Sequence, residues 1–321
     1  MQKASSHSPL PPVYCSRDSE QSAEPLFATA TQGKVWFMLE YPFRWGKKAF
    51  EESKIPAKVK AHLQITLKSL PQARLQLIKS PVSSFPKQIA FFIAYASEDP
   101  GLSEWQLSSY TDLLQLDLVS LTQQLAAPEN SNRSQPLYLV CTNGKRDLCC
   151  ARQGRPVFLA LLNQRQTAAW QTTHVGGHRF AGNLLCFPHG LIYGRTRPTD
   201  IQAIVDTYIN GDLLLDRLRG RSCFTEFTQA AEYYLRKNTG VTALSAYRHS
   251  RTEHNSPERA KVIFTDASNA NKHVLLIEAK QSDLQVYTSC HDQERSPVTS
   301  YQLIDYYVDH RKDPDNADPT R

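Results

Sequence analysis

The chain has 321 residues, 40% of them apolar and 21% charged, with a net charge of +6. This balance suits a soluble globular protein of two domains. It excludes a membrane-spanning helix, because no apolar run approaches the ~20 residues that a bilayer requires.

The first residues contain no apolar core of a secretory leader. Seven cysteines, an odd number spread over a long chain, point to free thiols or ligands rather than a disulfide framework. A reducing, cytoplasmic setting is therefore expected. Basic charge is concentrated. Lys145, Arg146, Arg152, Arg155, Arg165, Arg179, Arg195 and Arg197 face a single acid, Asp147, and leave that segment at +7. Such a face suits an acidic partner or an anionic cofactor. Aromatic residues do not interleave with the basic ones, so nucleic acid is not an expected partner.

Residues 1–33 are rich in Ser, Pro, Gln and Ala and read as a flexible tail with a docked portion near Glu24-Pro25-Leu26, and with Cys15 an incidental thiol. Residues 34–130 read as an N-terminal α/β subdomain. Strands are expected at 34–40, 74–79 and 89–95, a short edge strand at 104–110, and helices at 55–69 and 111–125. The turn-rich stretch 126–135 reads as a linker.

Residues 131–212 give a strand at 136–141, a cysteine loop, a helix at 150–163 and a strand at 168–173. A β-hairpin (183–187 and 191–195) and a helix at 198–209 follow. This is the order of a thioredoxin-like unit. Leu159, Leu161 and Leu162 are expected to supply the core face of its first helix.

Residues 213–311 change character. A helix at 225–237 and strands at 242–251, 261–265, 274–279 and 284–290 describe a small C-terminal α+β appendage with an antiparallel sheet and no catalytic constellation. Residues 312–321 form a charged tail. Cys186, Cys223 and Cys290 read as core or surface residues, and His189 as solvent-facing.

The chemistry is densest between Cys141 and His178. Eight residues separate Cys141 from Cys150, and three separate His174 from His178. Two thiols and two imidazoles suit a transition metal or an iron–sulfur cluster. Gly144 lets the cysteine loop curl, and Lys145 and Arg146 favour thiolates there. Gly176 and Gly177 permit positive φ, so both imidazoles can face one centre. The pattern is not the helical motif of zinc proteases, which needs a glutamate. Four readings stand open on spacing alone. They are ordinary reduced thiols with satisfied histidines, a Cys₂His₂ zinc site that stabilises a binding module, a [2Fe–2S] cluster, and a thiol–disulfide oxidoreductase using Cys149 and Cys150.

The runs Cys141-Thr-Asn-Gly-Lys-Arg-Asp-Leu-Cys-Cys150, Gly154-Arg-Pro156 and His174-Val-Gly-Gly-His-Arg-Phe-Ala-Gly-Asn183 resemble the sucrase/ferredoxin-like family. Its thioredoxin-like ferredoxin domains carry Cys-x₈-Cys followed by His-x-Gly-Gly-His. The resemblance covers about residues 14 to 212. It implies a [2Fe–2S] cluster ligated by Cys141, Cys150, His174 and His178, with Cys149 as the alternative to Cys150. It also implies an electron carrier that meets a redox partner protein, rather than a catalyst with its own substrate. No carboxylate pair supports glycosidase chemistry.

Overall fold

The computed structural model describes residues 14–81, 87–164 and 168–310. After α1 (Cys15–Gln21), the first half runs β1 (Val35–Glu40), α2 (Ala57–Ser69), β2 (Ala73–Lys79), β3 (Ile89–Tyr95), β4 (Gly101–Leu107) and α3 (Leu118–Gln124). All six residues of β1 are buried. Such a continuous apolar run is what a strand covered on both faces needs. The second half runs β5 (Leu137–Cys141), α4 (Leu148–Leu162), β6 (Ala168–Thr172), β7 (Leu184–Phe187), β8 (Leu191–Tyr193) and α5 (Ile201–Ile209), then β9 (Leu218–Arg221).

The two halves repeat one plan. β1 lies parallel to β2 and antiparallel to β3, which pairs antiparallel with β4. β5, β6, β7 and β8 repeat those relationships in the same order. Each half thus has the strand and helix order of a thioredoxin-like unit. Together they form a nine-stranded mixed sheet ordered β4-β3-β1-β2-β6-β5-β7-β8-β9. The joint is the antiparallel pairing of β2 with β6, through Ile78–Thr172 and Lys79–Gln171. Both pairs lie at the C-terminal tips of their strands. The C-terminal ends of β1, β2, β5 and β6 therefore meet at the centre of the sheet. Parallel strands present ligand sites at that end, and Cys141 closes β5 there.

The third part packs α6 (Glu226–Thr239) on an antiparallel sheet of β10 (Tyr247–Ser256), β11 (Arg259–Asp266), β12 (Lys272–Val286) and β13 (Ser296–Asp309). Thr225 caps the start of α6, and Gly240, at φ +72°, ends it. Buried Glu232 accepts from Arg221 and Arg236, which joins α6 to β9.

Several expectations are corrected. Residues 14–33 are no tail. Cys15, Glu24, Ala28 and Ala30 are buried, and the segment runs along β9, with Thr29 N donating to Arg219 O and Gly33 N to Ser222 O. The stretch 126–135 is packed rather than loose. Ser131 Oγ accepts from Leu102 N, Arg133 N donates to Leu102 O, and Asn132 exchanges two bonds with the backbone of Glu104. Helix α4 begins two residues earlier than expected. Its buried face is Gly154, Val157, Phe158 and Leu161, while Leu159 and Leu162 point outward. The strands expected at 274–279 and 284–290 are one strand, β12, and β13 was not anticipated. His189 is not solvent-facing, since its Nδ1 is 2.9 Å from the Tyr208 hydroxyl and burial pushes its pKa down to about 4. Tail residues 312–321 lie outside the described residues.

Candidate metal centre

Cys141 and Cys150 are brought together by the turn from β5 into α4. Asp147 caps that helix, its Oδ1 accepting from Cys149 N at 2.9 Å. Cys150 falls in the first helical turn. One turn later, a Cβ at Gly154 would collide with the carbonyl of Cys141. Glycine therefore lets α4 lie against the end of β5.

His174 follows β6. Its Nδ1 is 3.6 Å from Cys150 Sγ, and the donor atoms of Cys141, Cys150 and His174 all lie within 4.8 Å of one another. Gly176 at φ +94° and Gly177 at φ +67° then turn the chain back, as the spacing anticipated. His178 is not part of that tight group. It stacks on His174, with ring centroids 4.6 Å apart, and its buried Nδ1 has no hydrogen-bond partner.

The electrostatics suit metal ligation. The hydrogen bond with Cys150 holds the Cys141 thiol well below its ordinary range, with His174 assisting, and raises Cys150 in turn. Burial, and then His174, push His178 down to about 4. His178 is thus a neutral imidazole with a free lone pair at neutral pH. A donor set of two sulfurs and two imidazoles, one with an orphaned buried nitrogen, fits a [2Fe–2S] group of the kind with mixed ligands.

The residues that hold this geometry were not foreseen. Arg219 is buried and donates to Asn183 Oδ1 at 2.7 Å, to Gly176 O at 3.2 Å and to Thr29. Asn183 Nδ2 donates to Gly177 O. Together they clamp the turn between the two histidines. Arg179, one of the basic residues of this segment, pairs with buried Glu24 at 2.8 Å, which offsets its charge.

Cys149 points elsewhere. Its Sγ is 3.2 Å from Cys290 Sγ, and with Cys15 and Asp147 these residues form a second tight donor group. Hydrogen bonds from Cys15 and Cys290 push the Cys149 thiol down to about 3, and Cys15 rises correspondingly. Cys15 and Cys290 are therefore neither incidental nor mere surface residues. No local motif marks either of them, because they reach this place from opposite ends of the chain.

Two clefts open where the halves meet. One, of about 500 Å³, is lined by Arg44, Trp45, Lys79, Thr142 and Lys145. The other, of about 440 Å³, reaches His174 between Lys47, Lys48, Phe50 and Arg146.

A family profile described as sucrase/ferredoxin-like matches residues 26–220, which span both halves of the large sheet and most of β9. The chain belongs to the sucrase/ferredoxin-like family. The chain is 38% identical over 103 residues to "Altered inheritance of mitochondria protein 32" of Meyerozyma guilliermondii, covering 29% of this chain and 36% of that protein. It is 33% identical over 96 residues to the protein of the same name from Debaryomyces hansenii, covering 26% and 35%. The match thus spans about a third of the length of these curated relatives.

Among solved structures, the thioredoxin-like [2Fe-2S] ferredoxin from Aquifex aeolicus is similar at 22% identity and a TM-score of 0.24, over 27% of this chain and 96% of that one. A cysteine-to-serine variant of that ferredoxin gives 20% identity and 0.24 over 26% and 96%. Among the described residues, no helix is long and apolar enough to cross a membrane.

Proposed function

We propose that this chain is a one-electron carrier that holds a [2Fe–2S] cluster on Cys141, Cys150, His174 and His178. The reading rests on one observation: Cys141, Cys150 and His174 converge within 4.8 Å while His178, stacked on His174, leaves a buried nitrogen unpartnered. The cluster, when bound, supplies reversible one-electron chemistry. The chain's own residues do the rest. Cys141 and Cys150, 1% and 0% exposed, keep water from the sulfurs. Arg219 and Asn183 fix the turn that aims both imidazoles.

The partner is a redox protein with an acidic docking face. Lys47, Lys48 and Arg146 surround the cleft at His174, and such a basic rim steers an acidic surface to the site. All seven cysteines are free, in keeping with a reducing compartment such as the cytoplasm.

The test is anaerobic purification with iron and acid-labile sulfide assays, an absorption spectrum, and EPR after reduction with dithionite. A red-brown chain with two irons and two sulfides is the expected result. A colourless chain whose zinc content falls in the Cys141→Ala variant would end the electron-transfer reading in favour of a zinc-stabilised module.

A further inference from the structure

The second donor group is assembled from three distant places. Cys15 lies at the start of α1, Asp147 and Cys149 at the start of α4, and Cys290 in the loop between β12 and β13. Cys149 and Cys290 are 141 positions apart, and Cys15 and Cys290 are 275 apart. Even so, one donor atom from each of the four residues lies within 4.8 Å of the others.

The spacing is that of a closed coordination shell. The Sγ–Sγ separations are 3.2 Å for Cys149–Cys290 and 3.6 Å for Cys290–Cys15. Asp147 Oδ1 is 3.1 Å from Cys290 Sγ and 3.8 Å from Cys15 Sγ. A tetrahedral zinc with Zn–S bonds near 2.3 Å has ligand–ligand edges of about 3.8 Å, close to these values. A disulfide needs sulfurs about 2.0 Å apart and would use only two of the three.

Charge and surroundings point the same way. Asp147 is fully buried, and its one ion-pair contact among the described residues is His178 Nδ1, 4.0 Å from Oδ2. A buried carboxylate among thiols calls for a cation. The ligand atoms are also oriented from outside. Ser16 Oγ donates to Cys149 Sγ at 3.1 Å, while Ser289 Oγ and Cys290 N donate to Asp147 Oδ2 at 3.1 and 2.9 Å. Outer donors of this kind hold metal ligands in place.

We infer that Cys15, Cys149, Cys290 and Asp147 bind one zinc ion, in a structural site that shares no ligand with the Cys141, Cys150, His174 and His178 set. Three thiolates and a carboxylate in a closed pocket select zinc over harder ions. The ion fastens α1 and the β12–β13 loop to the helix that carries Cys150. Asp147 then stands between the two centres, with Oδ1 on the zinc side and Oδ2 toward His178.

The test is metal analysis and native mass spectrometry of the full chain purified without air. The expected result is about one zinc per chain beside the iron, kept in Cys141→Ala and reduced at least about tenfold in Cys290→Ser, whose iron content is unchanged. Cys15→Ala, on a different segment, gives the same loss. The wild-type chain reports without any variant. Cobalt(II) in place of zinc gives a sulfur-to-metal charge-transfer band in the near ultraviolet.

Zinc that survives both Cys15→Ala and Cys290→Ser overturns the site. So does a wild-type chain that takes up no zinc on reconstitution, or one two hydrogens lighter from a Cys149–Cys290 disulfide. Iron content reports on the electron-transfer centre independently, so the two assignments fail separately.

Discussion

Cys149 and Cys150 are adjacent in the chain, yet their sulfurs belong to different groups: Cys150 meets His174 at 3.6 Å, and Cys149 meets Cys290 at 3.2 Å. Successive residues of a helix point about 100° apart, so the first turn of α4 contributes to two donor groups at once. Cys150→Ser should therefore lower bound iron and sulfide at least about tenfold. Cys149→Ser should leave the visible spectrum in place. Equal losses in both variants would contradict the division.

The proposed mixed ligand set would fix the charge of a bound [2Fe–2S] cluster. Two ferric ions, two sulfides and two thiolates sum to zero with neutral imidazoles, where four thiolates would give a dianion. The reduction potential is expected above the ~−400 mV of plant-type ferredoxins. It should fall at alkaline pH as imidazole N–H protons not shielded by iron are lost. Film voltammetry across pH measures this, and a potential that stays flat to about pH 10 would count against histidine ligation.

Arg219→Ala should destabilise the chain by about 3 kcal/mol, because it strands Asn183 Oδ1, Gly176 O and Thr29 in a buried place. Arg219→Lys should recover little, since one ammonium cannot span those acceptors. Gly177→Ala attacks the same clamp from the other side, for its Cβ would meet the Arg219 guanidinium at a positive φ. Urea unfolding midpoints and the rate of iron release check all three.

His189 predicts a pH dependence. Its folded pKa, about 4, lies below the ordinary histidine value of about 6.5, so the unfolded chain takes up the proton first as pH falls. Stability should decline from about pH 6.5 to pH 4, by about 3 kcal/mol in full. His189→Gln should flatten that part of the profile relative to wild type in parallel urea titrations.

Charge reversal at Lys47, Lys48 and Arg146 should slow electron transfer with an acidic partner by about tenfold at low salt. The difference should shrink as salt screens it. Iron content should not change. Stopped-flow rates across ionic strength decide this, and rates unaffected by the reversal would move the docking face elsewhere.

The local parts of this architecture could be read from the sequence, and the distant ones could not. The apolar run of β1, the Pro-bounded α2 and the glycine pair between His174 and His178 announce themselves through neighbouring residues. On α4, Leu161 is buried while Leu159 and Leu162 are exposed, because residues one or two apart in a helix do not share a face and tertiary packing selects which face is covered. Cys15, Cys290, Glu24 and Arg219 matter through contacts with residues far from them in the chain, from 36 positions for Arg219–Asn183 to 275 for Cys15–Cys290, and no spacing encodes those. β13 was overlooked for another reason: many of its residues are exposed, so apolar and polar positions do not alternate cleanly.

The polar stretch after α3 has an effect beyond connection. β4 ends the large sheet on one side, and an outermost strand with open backbone groups templates pairing with other molecules. Residues 131–133 occupy those groups through Leu102 and Glu104, and residues 29–33 lie alongside β9 at the opposite end. Irregular chain thus takes up outward backbone groups at both ends of the sheet, those of Leu102 and Glu104 on β4 and of Arg219 on β9. Asn132→Pro removes both side-chain bonds to Glu104 and is expected to increase concentration-dependent self-association, read by light scattering, with iron content unchanged.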